Sequence, residues 1–305
     1  MNGKKLTQWF LDDVNQPAVD DNYASQRKIY ECLDIAAGIY CRETRALKTT
    51  CTLTTVAGQQ EYNLPPDFID LYMKDNRGRF FAKYYDAVNY TWPILDSHER
   101  LFRENLTDSR DYPSYFAIKE PTAPPALING TATAVGAVTN GRCILEDSTK
   151  LFLTTHKVYP RDIIYNTTDG SLGIVLSVID ATHLYCALFG GTGNDWTLSD
   201  AYTIQPATER AIVLCAPSLT SGHTITVPYV CMPAPVYWDF GLWNLPARTC
   251  RAIASGAASL FKLPQSEYIE SQALGKLFDE EVKQYKVELG RKALQQGPSR
   301  RRERL

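Results

Sequence analysis

Two consecutive prolines, Pro65 and Pro66, constrain the fold of this chain more than any other short feature. Neither residue has a backbone N–H, so neither can donate a hydrogen bond to a neighbouring strand. Apolar residues nevertheless flank the pair, with Tyr62 and Leu64 before it and Phe68 shortly after it. The stretch therefore predicts two short strands joined by a rigid corner, with the side chains that precede the corner packed inward.

Apolar residues with helical spacing occur at both ends of the chain. Near the N-terminus they predict helices over residues 4–14 and 20–44. Near the C-terminus they predict helices over residues 247–263 and 265–295, which Pro264 separates.

From residue 50 onward the apolar spacing changes to two, which indicates strands. A short helix is expected over residues 96–106. Ala211–Cys215 and Thr224–Cys231 are predicted to form a hairpin around the loop 217–222.

Residues 127–204 contain only short strands and turn-forming pairs such as Asn140-Gly141 and Asp169-Gly170. Strand signals that recur every 8 to 12 residues or so are typical of a small barrel or sandwich. We therefore expect an α+β fold, in which a helical bundle from both chain ends packs with a small antiparallel sheet and carries an inserted all-β barrel or sandwich. The predicted domains are residues 1–125 with 205–296, the inserted β domain 126–204, and a flexible basic C-terminal arm, 297–305.

The charge balance argues against a general nucleic-acid binder. The chain has 32 lysines and arginines against 34 aspartates and glutamates, whereas nucleic-acid-binding domains are usually strongly basic. No apolar run approaches the roughly 20 residues that a membrane span needs, and no signal-peptide core is visible. We expect a protein made in the cytoplasm that does not enter a membrane.

The eight cysteines are scattered without a CxxC pair, which predicts free thiols in a reducing compartment. The four histidines lie far apart and have no cysteine at ligand spacing, so no metal or other cofactor is expected.

Motifs that would indicate an enzyme are missing or incomplete. There is no GxSxG nucleophile elbow, and the glycine-rich run Phe189–Trp196 lacks the Gly-Lys-Ser/Thr ending of a phosphate-binding loop, so we interpret it as a hairpin loop. Asp67 and Asp70 would face opposite sides of a strand. We expect no catalytic residues.

Four aromatic residues could stack on a base or a sugar, but core or interface packing is the favoured interpretation. They are Tyr84, Tyr85, Tyr90 and Trp92.

The C-terminal arm is basic and is separated from the last helix by Gly297-Pro298. It is either a solvated disordered end or a segment that becomes ordered on a partner, where arginine forks pair with carboxylates. Its candidate binding residues are Arg300, Arg301, Arg302, Arg304 and Leu305.

The order of these features resembles the head-tail adaptor (connector) proteins of tailed bacteriophages, over roughly residues 5–120 and 205–292. The stretch Tyr62-Asn63-Leu64-Pro65-Pro66-Asp67-Phe68 is similar to that family's Tyr-x-Leu-Pro-x-Asp-Phe corner. Residues 112–118, 214–229 and 245–246 resemble, in the same order, a following strand, a hairpin and the start of the closing helices.

The inserted region resembles a small β module found in several virion proteins. That module usually has Pro-Gly-Asp at its first turn, where this chain has Pro160-Arg161-Asp162.

The resemblance implies a structural, non-enzymatic virion protein of the neck, between capsid and tail. Such adaptors form a ring, usually of twelve copies, beneath the portal protein, and they receive the tail, stopper or nozzle protein. DNA passes through the ring without sequence-specific binding, and the C-terminal segment often reaches into the portal. By this resemblance, Arg300–Leu305 would bind the portal.

A virion-associated carbohydrate-binding or cell-wall-degrading protein is the alternative. A cell-wall-degrading enzyme would need a carboxylate pair in a cleft, and no spacing in the sequence supplies one. A carbohydrate-binding protein would need aromatic residues along a groove of the inserted module, and the candidates are Tyr165, Tyr185 and Trp196.

Overall fold

A computed structural model describes residues 1–97, 113–265 and 267–295 of the chain. In these ranges it contains four α-helices and 16 strands in three sheets, so the predicted α+β class is confirmed. The chain divides into two compact units. One is built from Met1–Ala46 and the residues from Trp238 onward, and the other from Leu47–Tyr237.

The described helices all belong to the unit formed by the two chain ends. They are α1 (Gly3–Asp13), α2 (Gln26–Thr44), α3 (Ala247–Lys262) and α4 (Tyr268–Gln295). The helix α2 begins at Gln26, later than the sequence predicts, because Ser25 provides the N-cap and its hydroxyl accepts a hydrogen bond from the N–H of Lys28. A short 3₁₀ turn, Leu263–Gln265, separates α3 from α4.

Helix α3 contacts each of the other three helices, so its alanine-rich sequence lies at the centre of this unit. Small side chains let helices approach closely. At Gly256 an added Cβ would lie 2.7 Å from the ring of Phe278 on α4. Phe10 of α1 packs edge-on against Phe261 of α3, with ring centroids 5.4 Å apart. None of the described helices combines the length and apolar character needed to cross a bilayer.

All strands in the described ranges belong to the second unit. In chain order they are β1 (Lys48–Thr54), β2 (Glu61–Asn63), β3 (Phe68–Leu71), β4 (Lys83–Tyr85), β5 (Tyr90–Thr91), β6 (Ile94–Leu95), β7 (Tyr115–Lys119), β8 (Ile128–Thr131), β9 (Val138–Thr139), β10 (Arg142–Glu146), β11 (Ile163–Asn166), β12 (Ser171–Val178), β13 (His183–Phe189), β14 (Ala201–Gln205), β15 (Ala211–Leu214) and β16 (Thr224–Cys231).

The strands outside 126–204 form two sheets instead of the single small sheet expected. One has the order β1-β16-β4-β5 with β3 also paired to β16, and the other has the order β2-β15-β7-β6. The predicted hairpin of Ala211–Cys215 with Thr224–Cys231 is therefore wrong. The strand β15 pairs with β2 and β7, whereas β16 pairs with β1, β3 and β4.

The third sheet has seven strands in the order β8-β14-β11-β12-β13-β10-β9. Its end strands, β8 and β9, are not paired with each other in the described part of the chain, so the sheet does not close into a barrel. The buried side chains of this sheet form their own core around Phe152, Ile164, Trp196 and Tyr202. The helix expected over residues 96–106 lies almost entirely outside the described residues.

Candidate functional site

The proline corner, residues 62–68, connects two sheets. The strand β2 before it belongs to the four-stranded sheet, and β3 after it pairs with β16 in the five-stranded sheet. The N–H of Phe68 donates to the carbonyl of Pro65 over 3.0 Å and closes a four-residue turn. Pro66 occupies the second position of this turn, where the fixed φ of proline is favourable.

The side chains before the corner are anchored inside the molecule. Tyr62 and Leu64 are both buried, as the alternation predicts. The Tyr62 hydroxyl donates to the carbonyl of Gln59 (2.9 Å) and accepts from the N–H of Val56 (3.3 Å). The N–H of Leu64 donates to the carbonyl of Arg210 over 2.9 Å. These bonds leave the corner little freedom to move.

Asp67 holds the corner against β16. Its carboxylate accepts a hydrogen bond from the hydroxyl of Tyr229 (2.8 Å), and its carbonyl accepts from the N–H of Met232 (2.9 Å). The ring of the next residue, Phe68, stacks on Tyr229 with centroids 5.3 Å apart. The acidic and aromatic positions of the corner therefore share one partner, which lies 162 residues away in the sequence.

The pKa values of both Asp67 and Tyr229 are raised in this contact. Burial raises the pKa of Asp67 above its ordinary value, although the bond from Tyr229 and the positive charge of Arg161 oppose that rise. Burial, followed by the negative charge of Asp67, raises the pKa of Tyr229. Each group is the partner of the other, so the pair links the proline corner to β16.

Arg161 forms a second link between segments distant in sequence. Its φ of +80° lies in the left-handed region that glycine adopts easily. This is the position where the resembled β module has the glycine of Pro-Gly-Asp. The guanidinium of Arg161 donates to the carbonyl of Pro233, just beyond β16, over 2.6 Å. Sequence reasoning missed this contact, and the only signal was the arginine in place of a glycine.

Asp162 connects the same turn to the segment that follows β14. Its carboxylate is fully buried and accepts from the N–H of Tyr159 (2.8 Å) and the N–H of Ala207 (2.9 Å). Burial raises the pKa of Asp162 to about 6, although these two bonds lower it. The turn before β11 and the segment after β14 are thereby held together by one carboxylate.

Trp196 is not available to bind a sugar. It is fully buried, its indole N–H donates to the thiol sulfur of Cys186 (3.1 Å), and its ring packs edge-on against Tyr202. Of the other two candidates, Tyr165 is 40% exposed and Tyr185 is half-buried. The tryptophan that the sequence offers as a stacking platform instead belongs to the core.

The aromatic residues near β4 differ in exposure. Tyr84 is fully buried, and its hydroxyl lies 2.7 Å from the Nδ1 atom of His223. Tyr85 and Tyr90 stack on each other with centroids 4.5 Å apart, and Trp92 is exposed. The packing interpretation therefore holds for Tyr84.

The glycine-rich run Phe189–Trp196 is not a hairpin loop. It leads from β13 to β14, and these strands are separated in the sheet by β11 and β12. The side chain of Asn166 lies beneath this run and donates to the carbonyl of Asp195 over 3.3 Å. The run is a crossover connection, which periodicity alone does not distinguish from a hairpin.

The proposed portal-binding residues Arg300, Arg301, Arg302, Arg304 and Leu305 lie outside the described residues. Within the described ranges, no group of three or more His, Cys, Asp or Glu side chains is placed to hold a metal ion. All eight cysteines are free thiols, as their spacing predicts.

Two stripes of exposed apolar side chains lie on different helices of the chain-end unit. On α4, Ile269, Leu277 and Val287 are 85%, 54% and 53% exposed, and helical geometry places them within about a quarter of the helix circumference. On α2, Ile35 and Ile39 are 55% and 39% exposed and lie one turn apart.

Comparison with protein-family models finds no match for this chain, and comparison with curated proteins finds none either. The functional interpretation therefore depends on the residues and contacts described above.

Proposed function

We propose that this protein is a head-tail adaptor of a tailed bacteriophage. It forms a ring that docks on the portal protein at the neck of the virion, receives the tail, stopper or nozzle protein, and leaves a channel for DNA. In this proposal the helices of both chain ends form the bundle of the adaptor, and the seven-stranded region is the inserted β module. The role is structural and requires no catalytic step.

The observation that carries the proposal is the pair of exposed apolar stripes on α2 and α4. A ring of identical subunits needs two different surfaces on each copy, because each subunit contacts its two neighbours in a head-to-tail manner. The exposed side chains of Ile269, Leu277 and Val287 on α4, and those of Ile35 and Ile39 on α2, supply apolar contacts on two different helices.

The corner supports the proposal independently of the helices. Each residue type of the Tyr-x-Leu-Pro-x-Asp-Phe pattern has a physical role here. Tyr62 and Leu64 are buried, Asp67 binds Tyr229, and Phe68 stacks on the same tyrosine. In this proposal the family keeps these residues because each of them stabilises the fold, and this gives the resemblance a physical basis.

The charge of the chain fits a channel for DNA. A formal charge of -2 offers few contacts that neutralise phosphate, so DNA would pass without strong binding. The arginine-rich arm is the exception, and we assign it to the portal, where it would pair with carboxylates.

The docking role is tested with purified portal rings. Full-length protein is compared with a chain that ends at residue 296 and with a full-length variant in which Arg300, Arg301, Arg302 and Arg304 are all glutamine. We expect the full-length protein to bind the portal, and both altered proteins to bind at least about tenfold more weakly, because each loses several charge-assisted hydrogen bonds.

Unchanged circular dichroism spectra and unfolding midpoints would show that both altered proteins are folded. Equal portal binding by all three proteins would refute the role of the arm. Absence of binding by the full-length protein would refute the adaptor proposal itself.

A further inference from the structure

The second unit contains a cavity of about 470 Å³ that the adaptor role does not use. Its walls come from four parts of the chain. These are the end of β1 with the turn into β2 and β2 itself, the segment from Pro125 to Asn129, the loop between β10 and β11, and Pro206 with Thr208 after β14. A volume of this size is within the range of pockets that hold one small molecule.

The cavity lining carries only positive charge. Lys150, His156 and Lys157 all line it, and all three come from the loop between β10 and β11. Among the described residues no aspartate or glutamate lines the cavity, in a chain that has more acidic than basic residues overall. Glu61, a carboxylate close in sequence to the lining, is bound to the ammonium group of Lys119 at 2.7 Å.

The two lysine ammonium groups are available for a ligand. Within the described ranges neither Lys150 nor Lys157 forms an ion pair. Lys150 donates a hydrogen bond only through its backbone N–H, and Lys157 forms none among the described residues. Because the ammonium groups of Lys150 and Lys157 carry the same charge and come from one short loop, an anion bound between them is favoured.

Another part of the lining can contact an apolar body. Val56 and Leu127 both line the cavity, and they are 50% and 56% exposed. The amide side chain of Asn63 also lines the cavity and can bond to a hydroxyl group.

We propose that this cavity binds a small organic anion. Its phosphate, sulfate or carboxylate group would pair with Lys150 and Lys157, and its body, about the size of one sugar ring, would pack on Val56 and Leu127. The chain's own C-terminal arm is not the occupant, because its arginines have the same sign of charge as the loop.

Isothermal titration calorimetry of the full-length protein with glucose 6-phosphate, inorganic phosphate and glucose tests the proposal. We expect glucose 6-phosphate to bind more tightly than inorganic phosphate, and glucose to bind least. The double variant Lys150→Gln/Lys157→Gln should weaken binding of glucose 6-phosphate at least about tenfold, because bonds to charged groups are the stronger kind. The matched control, Lys4→Gln/Lys276→Gln, removes two exposed lysines of the other unit and should leave binding unchanged.

Replacement of two partly exposed lysines should not unfold the protein, and unchanged unfolding midpoints would show this. Failure of all three probes to bind would overturn the proposal, as would equal binding by the wild type and the cavity variant. Equal affinity for inorganic phosphate and glucose 6-phosphate would show that the apolar side chains of the lining do not contribute to binding.

Discussion

Arg161 combines an unfavourable backbone with a favourable side-chain contact. A non-glycine residue at φ +80° is strained, and the bond from its guanidinium to Pro233 offsets that strain. We expect Arg161→Ala to lose the bond and keep the strain, and Arg161→Gly to lose both. The glycine variant should therefore be more stable than the alanine variant by about 1 kcal/mol, although some of that gain is offset by the greater freedom of glycine in the unfolded chain.

The free energy of unfolding in urea, measured for both full-length variants, checks this expectation. An alanine variant as stable as the glycine variant would show that the backbone of this turn is not strained.

Asp162 makes the stability of the second unit depend on pH. Its pKa is about 6 in the folded protein and near 3.8 in an unfolded chain, so folding favours the protonated form. The stability that this group contributes is fully present below about pH 4 and is lost as the pH rises through about 6. The total change is roughly 3 kcal/mol at most, since one pKa unit corresponds to about 1.4 kcal/mol.

The variant Asp162→Asn should abolish this component of the pH dependence. Both carboxylate oxygens accept from backbone N–H groups, so the amide nitrogen of asparagine would face one donor and cost about 1–3 kcal/mol. Unfolding midpoints of wild type and variant between pH 4 and pH 7 test this. A variant with the same slope as the wild type would show that another group is responsible.

At the residue scale, the sequence predicts burial better than it predicts partners. Tyr62 and Leu64 were expected inside because alternation along a strand fixes which face a side chain occupies. The partner of Asp67 is not predictable in this way, since Tyr229 becomes a neighbour only once β3 pairs with β16. For Trp196 even burial could not be predicted. An aromatic residue beside glycines can lie on the surface or in the core, and the structure places Trp196 in the core.

At the scale of elements, the exposed stripe of α4 should control self-assembly without controlling the fold. The triple variant Ile269→Ser/Leu277→Ser/Val287→Ser removes apolar surface that is already exposed in a single chain. We expect its unfolding midpoint to stay within a few degrees of the wild type, because surface substitutions usually change stability little. Its assembly into rings should be lost or strongly reduced, as native mass spectrometry would show.

A matched control for that variant lies in the other unit. Leu219 is 57% exposed in the loop between β15 and β16, and Leu219→Ser should leave assembly intact. Loss of assembly in both proteins, or in neither, would contradict the assignment of the α4 stripe.

The element boundaries also show what periodicity can and cannot determine. Spacings of three and four residues identified all four described helices, because an amphipathic stripe is a local property. Strand pairing is not local. The strands β15 and β16 are consecutive in the chain and were predicted to pair, yet each pairs with strands more than 90 residues away. The loop 217–222 gives no sign that its two strands belong to different sheets.

At the scale of the whole molecule, the α+β class followed from helical spacing at both ends and strand spacing between them. The predicted division at residues 125 and 205 was drawn where the composition changes. The two compact units of the structure have their limits at Ala46 and Tyr237. Links such as Arg161 with Pro233 and Asp162 with Ala207 join the seven-stranded region to segments that the sequence assigns to another domain.

The measurement that tests the central claim most directly is the mass of the full-length protein by native mass spectrometry, alone and with purified portal protein. The proposal predicts a closed ring of about twelve copies, formed alone or only on the portal, because two different apolar stripes on each subunit favour head-to-tail closure. A protein that remains monomeric and does not associate with the portal under either condition would contradict the adaptor function.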